Sequence, residues 1–95
     1  MNREQYLFKI LEEESSEVGQ EASKCMRFTP HHKSPIYELT NIQKLQVELT
    51  DLFTAVDMIE RHLGVTFDKT PCAKKEARIE EYYEISKSLG TVRND

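Results

Sequence analysis

The sequence predicts an all-α protein, a small bundle of about three helices in one domain spanning residues 1–95. Three observations predict it. Apolar residues recur every three or four positions over long stretches free of proline. Helix start and stop signals bracket those stretches. No stretch has the sustained apolar–polar alternation of a half-buried strand.

The first helix is expected over about residues 2–27. Leu7, Ile10, Leu11, Val18, Ala22 and Cys25 form one apolar face. Phe28-Thr29-Pro30 then ends it, because the residue before a proline is pushed out of the α region. A polar connector runs from Thr29 to Leu39 and includes His31, His32 and Ser34-Pro35. It is longer than the ~2–8 residues usual between bundle helices, which suits a lid or a specificity segment.

The second helix is expected over about residues 40–63. Thr40 and Gln43 have the spacing of a capping box. Ile42, Leu45, Leu49, Leu52, Val56, Ile59 and Leu63 form its stripe, and Gly64 is a C-terminal stop. The third helix is expected over about 71–88, with Thr70 as N-cap, Pro71 at the first helical position and Gly90 closing it. Its apolar residues are Ala77, Ile79, Tyr82, Tyr83 and Ile85.

Composition narrows the function. Hydrophobic residues are 38% and charged residues 32%, and there is no tryptophan. A chain this small and polar buries little surface alone, so its core is expected to be completed by oligomerisation. The net charge of −4 argues against a nucleic-acid partner, which a basic surface would hold. Cys25 and Cys72 lack CxxC spacing, so neither zinc site nor disulfide framework is expected. No apolar run is long enough for a membrane span. The opening MNREQYLFKILEEE is acidic too early for a signal peptide, and the expected location is the cytoplasm.

The carboxylates do not fit a plain surface helix. On a helical wheel, Leu7 and Cys25 coincide at the centre of the first apolar stripe. Glu14 falls only about 20° from that centre, and Glu21 and Glu17 follow at about 40° and 80°. A carboxylate there is costly unless paired or bound to metal. Between Ile10 and Ala22 the charged residues are Glu12, Glu13, Glu14, Glu17 and Glu21, with no lysine or arginine. The second helix carries Glu48 and Asp51, neighbours on one face, with the small Ala55 one turn on. Docked by their apolar stripes, the helices would bring these two carboxylate pairs together. Oxygen donors without His or Cys favour Mg²⁺ or Mn²⁺ over zinc. Against this stands the ordinary explanation, that a glutamate-rich helix is a solvated face.

Glu13-Glu14-Ser15-Ser16-Glu17 and Glu48-Leu49-Thr50-Asp51 resemble the EExxE…ExxD signature of the MazG-like all-α nucleoside triphosphate pyrophosphohydrolases. The flanks LEEESSEVGQEASKCMRF and LTNIQKLQVELTDLFTAVDMIE look like the short phage-type members. The similarity covers about Leu7 to Leu63, with thirty residues between Glu17 and Glu48, at the long end of the family pattern. It implies a helical bundle assembled as a dimer or tetramer. The implied substrate is a nucleoside triphosphate, cleaved between its α- and β-phosphates to a monophosphate and pyrophosphate. For a phage-encoded member the location would be the host cytoplasm.

Carried over by position, Glu14, Glu17, Glu48 and Asp51 would hold Mg²⁺, with Mn²⁺ an alternative. Glu13 would have a supporting role. Glu17 or Glu14 could serve as general base. Lys24 and Arg27 could hold phosphate oxygens, or simply stabilise the C-terminal dipole of their own helix. His31 and His32 are expected at the surface, Tyr82 and Tyr83 in packing roles, and Asp57 in solvent or at an oligomer contact. Two other functions compete. A di-iron bundle wants Glu-x-x-His motifs, and the chain has none. A non-catalytic helical adaptor of the same fold would bind a protein partner.

Overall fold

A computed structural model describes residues 1–36 and 38–93. It is all-α, with three helices and no strand among the described residues. Helix α1 spans Arg3–Phe28, α2 spans Asn41–Leu63 and α3 spans Ala73–Ser88.

Each start of the first two helices is locally encoded. Asn2 caps α1: its side chain accepts from the Gln5 backbone N–H, and Gln5 accepts from the Asn2 N–H in return. Thr40 and Gln43 make the same reciprocal pair at α2, as expected from their spacing. Gly64 ends α2 in the left-handed conformation, φ 68°. Thr29 ends α1 with φ 71°, a value that β-branched residues rarely adopt.

Helices α1 and α2 form an antiparallel hairpin. At one end His62 comes within 4.0 Å of Glu4. At the other, the first N–H groups of α2 are taken by the connector: Asn41 donates to the His32 carbonyl and Ile42 to the Pro30 carbonyl. The buried Asn41 side chain donates to the Thr29 carbonyl at 3.0 Å, tying the end of α1 to the start of α2. The base of the connector is thereby pinned. Between the ends, the two apolar stripes face each other around Leu7, Ala55 and Ile59.

The third helix begins at Ala73, two residues later than the expected Pro71. Asp68 accepts from the Thr70 N–H, a local turn that holds Thr70 outside the helix, and Cys72 caps it without a side-chain hydrogen bond. Helix α3 packs against neither α1 nor α2 among the described residues, and none of its residues is buried. Tyr82 and Tyr83, expected to pack, are exposed within one chain. The radius of gyration is accordingly 17.0 Å, against about 12 Å for a compact domain of this length. No helix is long and apolar enough to cross a membrane.

Candidate metal centre

The seam between α1 and α2 changes character along its length. Near the ends of the hairpin that carry Leu7 and Ile59 it is apolar. About two to three turns further along α1 it holds Glu14 and Glu17, which meet Glu48 from α2. One carboxylate oxygen from each of these three residues lies within 4.8 Å of the others. Glu14 and Glu48 are half-buried, and Glu17 is exposed at the rim.

The electrostatics of this layer are one-sided. Burial raises the pKa of Glu14, and the charges of Glu17, Asp51 and Glu13 push it further. Glu48 is pushed up to about 7, first by a hydrogen bond with Glu17, then by burial and the charges of Glu17, Asp51 and Glu14. No cation is among the charges acting on either group. One oxygen each of Glu14, Glu48 and, further along the seam, Glu21 is buried without a hydrogen-bond partner.

Asp51 is exposed and outside the three-carboxylate cluster, although its charge reaches both Glu14 and Glu48. Glu13 points outward and pairs with Lys9 at 3.6 Å, so its place is beside the cluster. Glu21 lies one layer further along the seam and does have cations. Lys24 is 3.2 Å from one oxygen and Lys44, from α2, is 4.0 Å from the other. Both lysines lie outside the lysine- and arginine-free stretch from Ile10 to Ala22, so that stretch alone does not reveal the partners of Glu21.

Lys24 and Arg27 line one open cavity of about 490 Å³ with Ser16, Gly19, Gln20 and Ser23. Lys24 also borders a second cavity, about 320 Å³, with Phe28, His32, Ser34, Asn41 and Lys44. Arg27 lies 5.2 Å over the Phe28 ring. His31 and His32 are exposed, and Asp57 is exposed and paired with Arg61 at 3.0 Å. Asn41 has no counterpart among the expected site residues; its signal is nonlocal, since its acceptor lies across the connector.

The residues fit a hard divalent cation. The donor set is carboxylate oxygen only, it comes from two helices, and two of its oxygens have no other partner. No protein-family model, curated protein or solved structure matches the chain.

Proposed function

We propose that this chain is a MazG-like, Mg²⁺-dependent nucleoside triphosphate pyrophosphohydrolase. The observation that carries the proposal is the convergence of Glu14, Glu17 and Glu48, with no cation among the charges acting on Glu14 or Glu48. The EExxE and ExxD spacing supports it, because the residues that meet across the helices are those the motif singles out. Glu14, Glu17 and Glu48 would hold the ion, with Asp51 joining from the rim and Glu13 supporting. Bound there, Mg²⁺ or Mn²⁺ would supply positive charge to offset the phosphates and Lewis acidity to activate a water.

The chain's own residues divide the remaining work. Glu17, at the exposed edge of the cluster, or Glu14 behind it accepts the proton of the attacking water. The water oxygen bonds to the α-phosphorus, the bond from that phosphorus to the bridging oxygen breaks, and pyrophosphate leaves with the electron pair. Lys24 and Arg27 hold phosphate oxygens along the α1 cavity. Lys24 exchanges its contact with Glu21 for the phosphate. The products are a nucleoside monophosphate and pyrophosphate.

The test is pyrophosphate release from a panel of nucleoside and deoxynucleoside triphosphates with Mg²⁺. Release is expected from at least one of them, abolished by chelator and lost in Glu17→Gln. A folded protein that releases none from any common triphosphate would sink the hydrolase and favour a non-catalytic adaptor. Calorimetry with Mg²⁺ and a non-hydrolysable nucleotide separates the two again, since the adaptor binds neither.

A further inference from the structure

We infer that α3 is an exchanged arm: in solution it lies on the α1–α2 hairpin of a second copy of this chain. The seat is the apolar groove of about 550 Å³ lined by Leu11, Leu52, Phe53, Val56 and Lys69.

Surface area argues for a second copy. The chain exposes 7764 Å², whereas a folded monomer of 11.1 kDa exposes about 5,700 Å². The excess, about 2,000 Å² per chain, is more than the ~800 Å² per partner of a standard interface. Two copies hiding it from each other would form an interface in the range of obligate homodimers.

The helix itself needs a seat. An isolated helix of 16 residues is marginal in water, and α3 lacks a side-chain cap. Ile79, Tyr82, Tyr83 and Leu89 fall within an arc of about 120° on its wheel. All four are exposed, Ile79 at 55% and Leu89 at 72%. On the hairpin, Phe53 is 60% exposed beside Leu52 and Val56.

The linker is tied to α2, and α3 beyond it makes no contact with its own hairpin among the described residues. The Glu60 carboxylate accepts from the Phe67 N–H and from Lys69 Nζ, both at 2.7 Å. These contacts anchor the chain after Gly64 to α2 before Pro71. Charge favours arm on hairpin over hairpin on hairpin. Residues 1–63 hold eleven carboxylates against seven lysines and arginines, while residues 64–95 hold six of each. A neutral arm meets an acidic hairpin without the repulsion that two acidic hairpins would feel.

Two measurements on the full chain test this. Light scattering across the micromolar range gives the mass, and isotope-filtered NOE spectroscopy on mixed labelled and unlabelled chains gives intermolecular contacts. The expected result is a species of at least twice 11.1 kDa, with NOEs between the Ile79 methyls or the Tyr82 and Tyr83 rings of one copy and the Leu11, Leu52 or Val56 methyls of another. Ile79→Glu, which alters an exposed residue and leaves the hairpin intact, is expected to weaken association by about tenfold or more. A monomer, an oligomer whose α3 gives no such NOEs, or contacts found only within one chain would overturn the inference.

Discussion

Two acidic layers of the same helix pair behave differently. In one, Glu21 faces Lys24 and Lys44. In the other, a turn or two closer to the N-terminus of α1, Glu14, Glu17 and Glu48 come together, and the charges acting on Glu14 and Glu48 are all carboxylates. Both layers lie in the α1–α2 seam, and both are built from glutamates on the edge of an apolar stripe. A helix pair can place a partner cation on the next turn or the next helix, and it does so for Glu21. What separates the layers is charge: Glu21 has two lysines within 4.0 Å, whereas no cation is among the charges acting on Glu14 or Glu48. The proposed cation site rests on that difference.

The contrast can be broken first by removing the donors. Glu17→Gln is expected to lower pyrophosphate release by about 10²-fold or more, measured in steady-state assays with Mg²⁺. Next in size is the apolar end of the seam. Ile59→Ala is expected to cost about 2–5 kcal/mol in a denaturant titration, because Ile59 is the most completely buried large side chain. That loss should leave Mn²⁺ affinity unchanged once the variant is folded, which separates packing from ligation along one interface.

The pH dependence sharpens the comparison further. Glu48 has a folded value of about 7 against an ordinary 4.5. The folded, metal-free chain thus holds a proton that the unfolded chain has already lost between those values. The stabilisation from this group is complete below 4.5 and disappears as pH rises through about 7. Melting temperatures in chelator should therefore rise on acidification from pH 8 toward pH 5, after subtraction of the same profile for Glu48→Gln. A flat difference profile would contradict the carboxylate coupling.

Smaller effects belong to local signals. Thr40→Ala removes an observed capping box and is expected to cost about 1 kcal/mol. Lys9→Ala breaks only the exposed pair with Glu13 and should change stability by less than ~0.5 kcal/mol. If Lys9→Ala instead abolished turnover, Glu13 would have a closer part in the site than its outward position allows.

These local signals also explain what could be read before folding. The α2 boundaries follow from Thr40, Gln43 and Gly64, which act through neighbouring backbone groups. The α1 start has an equally local signal, the capping box of Asn2 with Gln5 three residues on. The α3 start was displaced because Asp68 captures the Thr70 N–H, a competition between two local turns. Glu14 was legible because helical periodicity alone places it in the stripe. The cations of Glu21 were not, since Lys44 arrives from another helix. The detachment of α3 was also hidden: an apolar stripe shows that a face seeks cover, and not which chain supplies it.

The most direct test is a Mn²⁺ titration of the purified wild-type chain at pH 8, followed by the electron paramagnetic resonance of the free ion. Saturable loss of the free signal, reversed by excess Mg²⁺ and strongly weakened in Glu48→Gln, is the expected result. A free-ion signal that is the same with wild-type chain, with Glu48→Gln and with buffer would contradict a cation site between α1 and α2.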